Sequence, residues 1–439
     1  KLDVIVAGWD GYVHVWQPEG AELPGWPVKV QLPADFQPLP GYNLIDDQKL
    51  DTAPAVAYLE GRSKPPDLVV RPQYTEILGS GEELQVAPFA FAFAYRSDGT
   101  LMNGWPVKML GAVEDYNSAQ EFLTEGSADP VAADPSGTGL GPDDVAVAPA
   151  FTPPYLIDGA GHIVGSYLAT SAAGRDHLFT PFAATGAYGK LDGTMSFATA
   201  ELGAGSLARA LLKAESGEPI EYFETAFPAS AGAASPGFPA PRQGGDFFGE
   251  PLIAPVGAGD STDVVDGGDS NALMAYTASG ETAPGFPKWT TGWTMFAPAA
   301  GDLLSDGRTD LAAVTREGYL FAWQTPGAAS ANTQWWHAQH DEWNTGDYEA
   351  ITRPPGAIRA ASWNAATHTA RFLAPGSTWY EGRPSSYRVT LEPQGTTVSR
   401  AATVAAGHVQ VLKLPAGTAQ ATIQAVGPSG LLGQPASVG

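Results

Sequence analysis

A unit of sequence recurs along roughly the first 350 residues, and it narrows the available folds more than composition does. Residues 9–16 read W-D-G-Y-V-H-V-W and residues 316–323 read R-E-G-Y-L-F-A-W. In each, an acidic-Gly turn (Asp10-Gly11, Glu317-Gly318) precedes a stretch alternating large and smaller apolar positions with period two. That combination is a hairpin signal, because the turn supplies a backbone bend and the alternation supplies one buried face. Similar strand ends recur as A-F-A-Y at 92–95 and L-M-A-Y at 273–276.

A second signature follows: L-P-G-W-P at 23–27, M-N-G-W-P at 102–106, S-P-G-F-P at 235–239 and A-P-G-F-P at 283–287. Glycine permits a turn closed to bulkier residues, and proline ends strand pairing. The aromatics between them, Trp26, Trp105, Phe238 and Phe286, read as wedges between neighbouring sheets, and one could instead stack on a ligand. Trp16 and Trp323 close the alternating strands and belong to the same structural set. A third signature opens the units: A-P-A-V-A at 53–57, D-P-V-A-A at 129–133, A-P-V-G-A at 254–258 and A-P-A-A-G at 297–301. Its small residues suit strands crowded near an axis. Each unit then carries Asp before a short apolar run, at Asp67, Asp144, Asp263 and Asp310.

Strand, acidic loop, strand, hairpin, aromatic strand and G-[WF]-P make a unit of about 45 residues, the size of a four-stranded propeller blade. Units open near residues 51, 127, 252 and 295, and a divergent one spans 171–245. Residues 111–126 and 187–222 read as insertions, the second with a short helix from about Ser206 to Lys213. Asp3 aligns with Asp310, so the pattern enters in mid-blade. It predicts an opening strand upstream of Lys1, or one supplied from elsewhere, in a ring of six or seven blades.

Composition agrees with many short strands. Gly 52 and Pro 38 are frequent, yet 44% of residues are hydrophobic, which argues against disorder. The net charge of −24 reflects scarce bases, 23 against 47 acids, and makes nucleic acid and anionic membranes poor partners. The absence of cysteine excludes disulfides, thiolate metal sites and a Cys nucleophile, and is compatible with export. No run is long and apolar enough for a membrane helix, so membrane insertion is not expected.

These repeats resemble the FG-GAP/VCBS family of extracellular propellers, related in architecture to the integrin alpha-chain propeller. The resemblance covers about 1–350 and is strongest at 252–350, where W-W-H-A-Q-H-D-E-W-N-T-G-D-Y (335–348) is similar to the closing stretch of bacterial members. It implies a surface recognition or spacer module, and a calcium loop of the form D-x-[DN]-x-D-G-x-x-D. Asp302, Asp306 and Asp310 occupy the first, fifth and ninth positions of that loop, with Leu304 where a third-position Asp or Asn belongs. Calcium wants six to eight oxygens, so carbonyls and water would have to contribute. The same aspartates could simply bond turn amides.

Beyond a linker at 351–356, five alternating stretches between residues 357 and 426 predict a small β-sandwich over 357–439 resembling a fibronectin type III domain, with Trp363 in its core. The expected fold is thus all-β: a six- or seven-bladed propeller over 1–350, its first blade incomplete, followed by that sandwich.

Catalytic patterns are scarce. His337 and His340 form H-x-x-H beside Asp341, but among three tryptophans they read as a structural staple. His14 lies within a strand, and Arg175-Asp176-His177 has no partnered nucleophile. Asp143-Asp144 and Asp46-Asp47 are adjacent in sequence and on a strand would face opposite ways. No nucleophile elbow, zinc-protease helix or phosphate loop is present. The reading is a non-catalytic secreted, cell-surface or periplasmic module, binding a protein or glycan partner or other parts of its own precursor. The insertions at 31–50, 71–88, 111–126 and 187–222 are then the expected binding loops. Alternatives are the accessory region of a larger exported enzyme such as a protease, and a propeller enzyme such as a quinone-dependent dehydrogenase or glycan lyase.

Overall fold

In a computed structural model the chain is all-β, with almost no helix among the described residues. These are all residues except 1–2, 46–49, 51, 79–84, 111–113, 116–127, 150–151, 171–176, 180–184, 207–218, 247–248, 305, 342, 350–354, 378–381 and 428–429. No helix among them is long and apolar enough to cross a membrane. The strands form small antiparallel sheets, six before residue 330 and two after it.

Four of the six repeat one register. In the second, third, fifth and sixth sheets the opening strands are Ala55–Ala57, Val131–Ala133, Leu252–Ala254 and Ala299–Gly301. Each pairs with a strand that contains the unit's aspartate. The third residue of each opening strand lies opposite that aspartate: Ala57 with Asp67, Ala133 with Asp144, Ala254 with Asp263 and Gly301 with Asp310. The residue before it faces the first apolar side chain of the partner strand, Leu68, Val145, Val264 or Leu311, all buried. Period-two alternation fixes this register, because a one-residue slip would turn each aspartate's neighbours the wrong way.

Neighbouring sheets meet through the G-[WF]-P turns. Gly25 (φ +96°) packs its Cα on the Asp98 carbonyl, and Gly99 (φ +82°) packs reciprocally on the Gly25 carbonyl; a Cβ at either would collide with backbone. Gly104 with Gly161 and Gly237 with Gly280 repeat the arrangement between the next pairs of sheets. The aromatic of each turn is then driven between sheets: Trp26, Trp105 and Phe238 are buried. The Trp26 indole donates to the Ser97 carbonyl at 3.0 Å and the Trp105 indole to that of Gly159 at 3.4 Å. All four X-Pro bonds of this motif are cis. At the last copy Gly285 and Gly318 do not meet, and Phe286 is only half-buried.

The expected insertions contribute strands and are not simple loops. Within 71–88, the strand Gln73–Leu78 pairs with Gln85–Tyr95, and Asn43–Ile45 from 31–50 adds at its edge. Within 187–222, Ala187–Leu191 and Thr194–Gly203 form a hairpin of the fourth sheet. The cause is legible afterwards: runs such as F-A-F-A-F-A-Y at 89–95 extend alternation past the length of the corresponding strands Tyr12–Trp16 and Ala272–Tyr276. Residues 204–206 are helical and the rest of the expected helix lies outside the described residues, as do most of 111–126 and of the linker.

Towards the C-terminus, one sheet orders Arg359–Asn364, Thr369–Leu373 and Val409–Lys413. The other orders Thr396–Ala401, Ser386–Glu392, Gln420–Val426 and Ala436–Val438. They share one core of Phe372, Tyr387, Val389, Leu412 and Ile423. Trp363 is only half-buried at its margin; Phe372 and Tyr387 fill the centre edge to face, 5.1 Å apart.

Candidate functional site: the hub and its arginine-centred acidic cluster

The segment 334–349 gathers the opening strands. The middle residue of each donates its N–H to it: Val56 to the Thr345 carbonyl (2.7 Å), Ala132 to Gly346 (2.7 Å), Ile253 to Trp335 (3.0 Å) and Ala300 to Trp336 (2.9 Å). The fourth sheet joins through Lys190, whose N–H donates to Gln334 Oε1 at 2.8 Å. In the fifth sheet the opening strand is Leu252–Ala254, after Pro251, and not the expected A-P-V-G-A at 254–258, so small residues are not common to all four strands. The segment turns back between His337 and His340 to reach both sides. Trp335 is fully buried, and its indole N–H and the Gln339 N–H both donate to Glu250 Oε1 at 2.6 Å.

Burial, with the nearby Asp129 charge adding to it, pushes the Glu250 carboxyl up to about 8, against the pull of its two donors. Since the folded state holds this proton more tightly than the unfolded chain, the contribution to stability is complete below the ordinary Glu range and is lost as pH rises through about 8. Glu250→Gln keeps an acceptor and removes the charge. It is expected to raise the melting temperature at about pH 8 by roughly 3 °C or more while leaving that at about pH 5 nearly unchanged, as read by thermal melts.

At the far end of the same segment lies the acidic cluster. Arg62, in the loop between Ala55–Ala57 and Asp67–Val70, points Nη2 at Asp143 Oδ1 (2.9 Å), Glu349 Oε2 (3.2 Å) and Asp347 Oδ1 (3.3 Å). Its guanidinium lies 4.4 Å from the centre of the Tyr58 ring, and the Tyr58 N–H donates to Asp143 Oδ2 at 2.5 Å. Glu349 also accepts the Asp134 N–H. Three nearly buried carboxyl groups thus share one guanidinium. Burial pushes Asp143, Asp347 and Glu349 upward, Glu349 to about 7, with mutual repulsion adding to the rise. The Asp134 carboxyl, pushed up by burial, is nonetheless held far below its usual range by donors from Ser136, Gly141 and Thr138.

Asp143, Asp347 and Glu349 are the one group of metal-ligand side chains whose ligand atoms converge among the described residues, within 4.8 Å of one another. They could hold a metal ion only in competition with Arg62, which already supplies positive charge to all three. A second clamp joins the fourth and fifth sheets. Buried Arg242 donates to Asp266 at 2.5 Å, to Glu224 at 3.2 Å and to the Gly267 carbonyl. Arg242 places a planar fork between acids of two different sheets, and Arg62 places one among acids from the start of the third sheet and from the closing segment.

The calcium-type loop is arranged otherwise. Asp302 accepts the Asp306 and Gly307 N–H groups at 3.0 Å, and Asp310 Oδ2 accepts those of Leu303 and Leu304. Asp306 accepts the Arg308 N–H and a Gln324 amide donor. The three carboxylates are spread over turn donors and do not converge. Asp263 likewise accepts the Gly257 N–H.

Other expected residues are placed as follows. Trp16 stacks on His14 at 4.9 Å and Trp323 on Phe321 at 5.6 Å, both half-buried. His340 is buried within 6.0 Å of the Trp335, Trp336 and Tyr348 ring centres, while the His337 ring faces the Ala338 carbonyl. Arg175, Asp176, Asp46 and Asp47 lie outside the described residues. Sequence reasoning missed Arg62, Glu250, Asp347 and Glu349. For Asp347 the only signal was a polar residue inside the aromatic closing stretch; Arg62, Glu250 and Glu349 carried none.

No family model matches the chain, and no curated protein matches it. Among solved structures, the V. cholerae biofilm matrix protein Bap1 is 12% identical, covering 99% of this chain and 68% of that one, at a TM-score of 0.22. A likeness this slight carries no argument about fold or function.

Proposed function

We propose that the sheets before residue 330 are blades of a propeller, closed at its centre by 334–349, and that the chain is a non-catalytic scaffold at the cell surface or outside the cell, followed by a fibronectin type III-like sandwich. The observation that carries the reading is the hub: equivalent amides of four opening strands, in one register, bond one shared segment. A rigid toroid of this kind serves to present surface. Its aromatic side chains Trp9, Trp289, Phe296 and Tyr319, all more than half exposed, offer that surface to a protein or glycan partner. The net charge of −24 directs it towards neutral or basic partners.

A broad screen of hydrolase, lyase and quinone-dependent activities tests the non-catalytic part. Turnover that copurifies with the chain and is abolished by a single substitution near the hub would overturn it. Chelation tests the calcium part. Because the Asp302, Asp306 and Asp310 carboxylates already satisfy turn amides, excess EDTA is expected to move the melting temperature by less than about 2 °C. A larger fall, reversed by calcium alone, would restore that loop as a cation site.

A further inference from the structure

The joint between the fourth and fifth sheets is built differently at its two ends. One end is the contact of Gly237 with Gly280 and the Phe238 wedge, which carries no charge. At the other, Arg242, Glu224, Asp246 and Asp266 meet with their side chains almost wholly buried. Arg242 ends the strand Ala240–Arg242, Glu224 lies in Tyr222–Pro228, Asp266 ends Asp263–Asp266, and Asp246 follows the fourth sheet in the chain. The Arg242 guanidinium donates to Asp266 and Glu224. Asp266 in turn lies in hydrogen-bonding contact with the carboxyl groups of both Glu224 and Asp246. Among the described residues no N–H or hydroxyl donates to Glu224 Oε1 or Asp246 Oδ2. Three acids thus face one guanidinium, and two of the contacts are carboxyl against carboxyl. Such a contact holds only with a proton between the oxygens, since two buried carboxylates that close repel each other.

We propose that this cluster is a proton-operated latch: with protons shared among its three acids it clamps the fourth sheet to the fifth, and on losing them it lets Gly245 and Asp269 part while both sheets stay folded. The latch concerns two neighbouring sheets and does not depend on the propeller reading. Fully ionised, three carboxylates against one guanidinium leave uncompensated negative charge in a desolvated site. Burial and the neighbouring Asp266 push the Glu224 and Asp246 carboxyls well above the ordinary range. The folded state therefore holds these protons more tightly than the unfolded chain. The latch's contribution is complete below the ordinary carboxyl range and is lost as pH rises through the raised values. The other titratable groups nearby do not reverse this sign. Burial works against the Arg242 charge, but Asp266 and Glu224 outweigh it and keep the guanidinium charged. Asp269, Tyr276 and Tyr222 are each pushed up by burial. The contacts that the latch guards are short-range: the Gly245 N–H donates to Asp269 Oδ1 at 2.9 Å, and the Asp269 N–H to the Gly245 carbonyl at 3.0 Å.

Hydrogen exchange of the whole chain at about pH 6 and about pH 9, with rates corrected for their intrinsic pH dependence, tests the latch. The Gly245 and Asp269 amides are expected to lose protection about tenfold or more at the higher pH. Ala229 and Ala283, whose amides bond within the fourth and fifth sheets, should change by about threefold or less. The double variant Glu224→Gln, Asp246→Asn replaces both shared protons by amide donors to Asp266 and leaves one acid to one guanidinium. It should keep Gly245 and Asp269 protected alike at the two pH values, within about twofold. The milder variant Asp246→Asn, whose oxygen still accepts the Gly249 N–H, should reduce the native loss to about threefold. Equal protection of Gly245 and Asp269 at both pH values in the native chain would overturn the proposal without any variant. A loss that persists undiminished in either variant would overturn it too. Loss at Ala229 and Ala283 to the same extent would mean that the two sheets unfold together, and would overturn the local parting.

Discussion

Replacing Trp335 by alanine is expected to loosen the hub as a unit and to lower stability by about 3–5 kcal/mol, the range for emptying a fully buried large aromatic site. For a chain of this size that corresponds to a fall in melting temperature of about 3–7 °C. The loss has two parts, which two variants separate. Trp335→Phe keeps most of the packing and removes the indole donor to Glu250, leaving that buried carboxyl with the Gln339 N–H alone. Trp335→Ala removes the packing as well. Hydrogen exchange should show the Val56, Ala132, Ile253 and Ala300 amides losing protection together in Trp335→Ala, because they bond one segment. The strands between residues 386 and 426 should keep theirs, since they belong to a separate core. If only Ile253, the strand bonded to Trp335 itself, lost protection, the segment would be four independent contacts and not a hub.

The second large effect is expected at Arg62. Arg62→Ala leaves Asp143, Asp347 and Glu349 facing one another, with no cation in a site where Asp143 and Asp347 are fully buried. Removing one member of such a set typically costs about 3–5 kcal/mol, because the uncompensated charge remains desolvated. The pH dependence has a definite sign. These carboxyls already lie above their ordinary range in the fold, and losing the guanidinium raises them further. Stability is therefore complete where all three are protonated and is lost as pH rises through the folded values, with Glu349 near 7. Urea denaturation should find Arg62→Ala severely destabilised at about pH 8 and much closer to the native chain at about pH 5. Arg62→Lys should recover only part of the loss, since an ammonium cannot fork among three acceptors. A penalty equal at both pH values would mean that Arg62 acts through its packing on Tyr58.

Both predictions concern residues whose importance the chain conceals. Asp302, Asp306 and Asp310 attracted attention because their spacing repeats a known loop, yet each is occupied with amides a few residues away. Arg62 and Asp347 stand 285 positions apart; no motif surrounds Arg62, and the closing stretch that holds Asp347 drew notice for its aromatics and histidines. The aromatic wedges lie between these extremes. Trp26, Trp105 and Phe238 were legible because a glycine and a proline frame each one, and the fold packs all three between sheets. Phe286 has the same frame but is only half-buried, because the hairpin at Gly318 does not close over it as Gly99, Gly161 and Gly280 close over the others.

The strands, their turns and their shared register were written locally. Period-two alternation, acidic-Gly turns and G-[WF]-P each act within a few residues, where steric limits on the backbone are the same in any context. The tertiary structure alone decided which surplus strands widen a sheet, which segment receives the opening strands, and which arginine neutralises which acids. Those outcomes depend on desolvation and on charges brought together through space, and burial can be assigned to a carboxyl only after the chain around it has been placed.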